Sequence, residues 1–256
     1  MAAIGSAIAF EWIKARTVRS TTWSLILCFA TSVGIALLFG SVLRGAYDNM
    51  SPEGKAGFDP VGSGFNGLRL GMIALVMFGV MLAASEYTTG TVRSSLAAVP
   101  RRGLLYGAKI IITVLIAFPF SAIVVLATFF TAQTAIGSAH NAAITDDGVI
   151  RSVVGAVFYM TLLCTFAVGL ATMLRSPALT LGILVPLFFM VSEILNNLPG
   201  VKTVAQFLPD FAGGLVLRRQ PPDDTILDAW SGMGVLLLWT VATVLGGYLT
   251  MRRRDA

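Results

Sequence analysis

Apolar residues fall into six long runs separated by charged or Pro/Gly-rich breaks. They extend from Trp23 to Leu43, Leu70 to Ser85, Ile110 to Ala135, Val153 to Leu174, Ala178 to Leu195 and Met233 to Met251. Each approaches the roughly 20 residues that carry a helix across a bilayer core. Pro119 and Pro186 predict kinks in the third and fifth runs. The expected fold is an all-α membrane protein of six transmembrane helices. Residues 1–22 form an N-terminal interfacial helix, 23–251 a single transmembrane domain and 252–256 a basic cytoplasmic tail.

Ahead of the first run, Ile4, Ile8, Trp12 and Ala15 recur at helical spacing, and Glu11, Lys14, Arg16 and Arg19 lie among and after them. That pattern suits a helix lying in the inner membrane interface, or a simple insertion anchor. Lys14, the first basic residue, follows the mildly apolar stretch Ala2 to Phe10, the reverse of the order in a cleaved secretory signal.

Composition supports the membrane reading: 56% of residues are hydrophobic, 12% are charged and the mean hydropathy is +0.82. A soluble domain carries about twice that share of charge. Cys28 and Cys164 both sit within apolar stretches and His140 is the single histidine, which removes cysteine-based and most other metal sites. The net charge of +5 could suggest nucleic acid, but the basic residues are distributed by side. With the N-terminus inside, 11 of the 18 Lys and Arg residues fall on the inner side, including Lys14, Arg93, Arg101, Arg102, Lys109 and Arg252. Both termini are therefore expected in the cytoplasm of a multi-pass protein of the cell membrane, and no nucleic-acid partner is expected.

Catalytic chemistry finds no seat in the sequence. Gly54-Lys55-Ala56 holds the single Gly-Lys pair and lacks the hydroxyl of a phosphate-binding loop. Ser63 and His140 lie in separate external loops, and no run carries two acids. The chain is read as a non-enzyme with no cofactor of its own.

Between the second and third runs, Gly90 can take the left-handed conformation that ends a helix, and Thr91 can cap the next one. From Val92 to Val99 a two-turn helix would place Val92, Ser95, Leu96 and Val99 on one face before Pro100 stops it. Such a peg can insert into a groove on a cytosolic partner, or lie on lipid headgroups through Arg93, Arg101 and Arg102.

The stretch from Glu86 through Gly90, Thr91, Leu96 and Pro100 to Arg102, with Lys109 beyond, resembles the E-x-x-x-G-T-x-x-x-x-L-x-x-x-P-x-R signature of ABC-2 type transporter permeases. Glu11-Trp12 through Trp23 is similar to the stretch before the first span in actinobacterial members. The resemblance implies that Val92 to Val99 is a coupling helix contacting a separate ATP-binding subunit, which would carry the ATP and Mg. It implies that Glu86, Gly90 and Thr91 set that helix's angle, and that the N-terminal helix packs beside it. It further implies a homodimer or a heterodimer with a second permease, embedded in membrane lipid. An apolar lining without buried charge favours export of a hydrophobic or amphiphilic cargo. A non-transporting scaffold, sensor or immunity subunit of an ABC-like complex would share these features.

Three further positions stand out. Glu193 is the one acid near a run's interior, although water at the outer boundary is within its reach. Val201 to Leu208, bracketed by Pro199 and Pro209, reads either as a short re-entrant helix or as a surface loop. Gly34, Gly79, Gly155, Gly169 and Gly182 are candidates for close helix approach.

Overall fold

The computed structural model describes residues 2–91, 101–196, 198, 201–220 and 225–253. The expected coupling helix, with Val92, Arg93, Leu96, Val99 and Pro100, lies outside the described residues, as does the side chain of Glu193. Seven helices organise the rest: α1 Ala2–Thr17, α2 Arg19–Ala46, α3 Asn66–Thr89, α4 Arg102–Ile136, α5 Val149–Leu174, α6 Pro177–Pro186 and α7 Ala229–Arg253.

Five of these, α2, α3, α4, α5 and α7, are long and apolar enough to cross a membrane. The fifth predicted run is helical but divided. Pro186 removes one backbone donor, the chain widens into a π-helical stretch at Leu187–Val191, and an α-helical turn resumes at Ser192–Asn196. The Leu187 carbonyl accepts from the Ser192 backbone N–H across the wider turn, which leaves the Ser192 hydroxyl proton for another partner. By contrast α4 is continuous through Pro119. Its 35 residues extend about 50 Å, well beyond the apolar layer.

The boundary between the N-terminal helix and the first span is also earlier than the sequence suggests. Val18 is extended (φ −77°, ψ 113°), so the chain breaks there and Arg19 to Thr22 belong to α2.

Helices α3 and α5 form the centre, with 72% and 78% of their apolar windows buried, whereas only 22% of that of α2 is. Small residues bring the central helices close to their neighbours. A methyl built on Gly67 would lie 2.2 Å from the Ser32 carbonyl of α2, and one on Gly79 2.8 Å from the Cys164 carbonyl of α5. Gly169 approaches the Thr243 backbone of α7 just as closely, and Gly155 packs on Val216. Gly34 and Gly182 differ, since a methyl on either meets nothing within 4 Å.

The helix α1 and the last turns of α7 lie at one end of the bundle, the terminal end. There Arg102 Nη1 donates to the Met251 carbonyl at 3.4 Å, joining the start of α4 to the end of α7. At the same end the Arg175 guanidinium lies 5.4 Å from the Tyr87 ring centroid, and Ser176 caps α6 by accepting from Leu179 N at 3.3 Å. The opposite end is closed by loops and short helices. Gln133 donates to the Pro60 carbonyl at 3.0 Å and accepts from Ala142 N at 2.8 Å.

For the segment from residue 201 the sequence left two readings open. Val201 to Leu208 supplies one short helix, Lys202–Ala205, with Val204 and Phe207 exposed. The buried portion instead follows Pro209: the short helix Pro209–Gly214 and the turn Leu215–Leu217 pack on α5 and α7. Gly232 permits this, because a methyl there would lie 2.2 Å from the Ala212 carbonyl.

Candidate functional site

At the end that carries the termini, α1 turns Ala7, Glu11 and Ala15 inward at a spacing of four residues. This is not the Ile4-Ile8-Trp12-Ala15 stripe as a whole, for Trp12 faces outward with the Arg16 guanidinium 5.9 Å from its ring centroid. Small alanines allow α1 to lie against α4, which places the Glu11 carboxylate in a buried position.

Four charges meet there. Lys109 Nζ of α4 is 3.0 Å from Glu11 Oε1 and 3.1 Å from Glu86 Oε1 of α3. Lys14 Nζ pairs with Glu11 Oε2 at 3.2 Å and also with Glu86 Oε1. Both ammonium groups donate in addition to the Leu82 carbonyl, Lys14 at 3.0 Å and Lys109 at 3.3 Å. An ammonium has three N–H donors, so Lys14 has a partner for each: Glu11, Glu86 and the carbonyl.

Two carboxylates and two ammonium groups leave the cluster neutral. That balance is required because each ion taken out of water costs several kcal/mol unless paired. Burial, followed by the neighbouring Lys109 charge, lowers the pKa of Lys14, and Glu11 and Glu86 oppose the shift. The cluster ties three helices far apart in sequence into one unit, α1 to the end of α3 and the first turns of α4.

The chain leaves this unit through Gly90, whose φ of 70° is left-handed, as its position at the helix end predicted. It re-enters at Arg101, which is exposed at the start of α4. Of the residues singled out from sequence, Glu11, Lys14 and Glu86 are thus brought together. Trp12, Arg16, Arg19 and Arg101 are exposed, and Arg102 reaches α7. The sequence reading missed the pairing role of Lys109. Its signal was an ammonium followed directly by Ile110, Ile111 and Ile112, a setting that demands a buried partner.

A second buried acid lies toward the opposite end. Asp210, 8% exposed, accepts from Ser192 Oγ at 2.7 Å, and its backbone carbonyl accepts from Tyr159 Oη at 3.3 Å. Burial raises its carboxyl pKa to about 6 against the opposing effect of the Ser192 bond.

Among the described residues no group of three or more His, Cys, Asp or Glu side chains could hold a metal ion. The family model described as ABC-2 family transporter protein matches residues 7–193, a span that includes α1 from Ala7 onward, the four-charge cluster and α6. No curated protein matches the chain.

Proposed function

Because the chain belongs to the ABC-2 transporter family, we propose that this membrane permease is one half of an ATP-driven exporter. A separate ATP-binding subunit docks on residues 86–102, and a second permease, identical or homologous, completes the pathway. Chemistry resides in the ATP-binding subunit; this chain converts that subunit's closure into movement of its helices.

The supporting observation is the Glu11-Lys14-Glu86-Lys109 cluster at the base of the two helices from which the 86–102 segment emerges. A force applied to that segment acts on α1, α3 and α4 together rather than on a loose loop. The parity of the chain supports six crossings with both termini in the cytoplasm. α5 ends and α6 begins at the terminal end, and α7 returns to it, so the divided helix from Pro177 to Asn196 supplies the intervening passage. The exposed apolar faces of α2, α4 and α7 suit lipid or a second permease, and a hydrophobic or amphiphilic cargo suits a pathway bounded by such faces.

Affinity purification from native membranes, with wild type and with Leu96→Asp, tests the docking. A P-loop ATPase is expected with wild type and is expected to be lost with the variant while the permease stays folded. Absence of any ATPase from the wild-type preparation would favour a non-transporting scaffold or sensor subunit.

A further inference from the structure

At the end opposite the termini, a cleft of about 980 Å³ opens between the 56–69 segment, the start of α5 and the 214–220 segment. Its volume is that of a small-molecule site. Four arginines line it, Arg69, Arg151, Arg218 and Arg219, against two aspartates, Asp59 and Asp147.

The aspartates of the lining offset only part of the arginine charge, and Arg69 also faces the buried Asp210 in the adjoining pocket. Asp59 is occupied by backbone donors, Oδ1 by Val61 N and Oδ2 by Arg219 N, each at 3.0 Å. Asp147 contributes its main-chain carbonyl to Arg219 Nε at 3.2 Å. Among the described residues none of the four arginines forms an ion pair. Arg151 is held in place through its Nη2, which donates to the carbonyls of Arg218 and Arg219, yet its Nε is buried without a hydrogen-bond partner. A buried donor left unsatisfied is costly, and a guanidinium is shaped to grip an oxyanion through two parallel N–H bonds.

We propose that this cleft binds an oxyanion-bearing ligand of the phosphate class, presented either by an anionic lipid headgroup or by a soluble phosphate compound. Arg69 and Arg218 supply exposed charge from the rim, and Arg151 supplies a fixed donor from the wall. The site goes beyond the transporter reading and does not depend on it, since binding requires neither an ATPase nor transport.

Calorimetric titration of the detergent-purified full chain tests the site with two probes: pyrophosphate alone, and phosphatidylcholine vesicles with and without phosphatidylglycerol. Saturable binding of either probe is expected, weakened at least tenfold in Arg69→Gln/Arg218→Gln and unchanged in Arg252→Gln at the other end. Pyrophosphate binding identifies a soluble source, and selective binding of phosphatidylglycerol vesicles a lipid source. If the double variant unfolds, Arg69→Gln alone is expected to weaken binding several-fold. Failure of both probes to bind wild type, or equal binding by folded variants, would overturn the site while leaving ATPase co-purification unaffected.

Discussion

Lys109 bridges both buried carboxylates at the terminal end. Its removal leaves the buried Glu11 and Glu86 to share Lys14, and breaking a buried pair in this way costs about 3–5 kcal/mol. Lys109→Met should therefore lower the thermal midpoint in detergent sharply. Adding Glu11→Gln to that variant restores charge balance and should recover part of the loss. Strictly additive effects in the double-mutant cycle would show that the two residues do not interact. Asp210 acts in the opposite sense. Its pKa is raised from the ordinary 3.8 to about 6, so as the pH falls through that window the folded chain binds a proton before the unfolded chain does. Its contribution makes the fold more stable as pH drops from 6 towards 4, then levels off. Asp210→Asn should flatten this dependence and stabilise the protein at neutral pH by up to roughly 3 kcal/mol, read from melting curves across pH.

Helix pairs depend on where glycine meets a neighbouring backbone. Gly67→Ala forces apart α2 and α3, because the added methyl would lie 2.2 Å from the Ser32 carbonyl, and a loss of about 1–3 kcal/mol is expected. Gly34→Ala meets no atom and should be neutral or slightly stabilising in the isolated chain. Comparative thermal unfolding checks both. The same contrast shows what the sequence could and could not reveal. Long apolar runs specify membrane helices directly, and Gly90 before Thr91 marks a helix end through local backbone chemistry. Gly34 and Gly67, however, look alike as letters, and only the packed neighbour separates them. The inward face of α1 was hidden for a related reason. Periodicity highlights Ile8 and Trp12, but α1 packs through Ala7 and Ala15, and Glu11 turns inward because of a lysine 98 positions away. The segment from Pro177 to Asn196 was legible as an apolar run, whereas its π-helical stretch arises from a backbone rearrangement after Pro186 that hydropathy does not encode.

Across the whole molecule, the neutral charge cluster and the arginine-lined cleft occupy opposite ends of one helical bundle, joined by the buried helices α3 and α5. On the proposed docking of an ATP-binding subunit at residues 86–102, its closure should therefore be felt at the far cleft. The most direct measurement uses the purified complex carrying Ser63→Cys, which places a thiol in that cleft, while the native Cys28 and Cys164 remain buried. The rate of maleimide labelling is compared with and without a nonhydrolysable ATP analogue, in the parent and with Glu11→Gln added. The account predicts a several-fold change of rate with nucleotide in the parent. It predicts loss of that change with Glu11→Gln even though the ATPase still co-purifies. A labelling rate indifferent to nucleotide in the parent complex, or an undiminished response with Glu11→Gln, would contradict it.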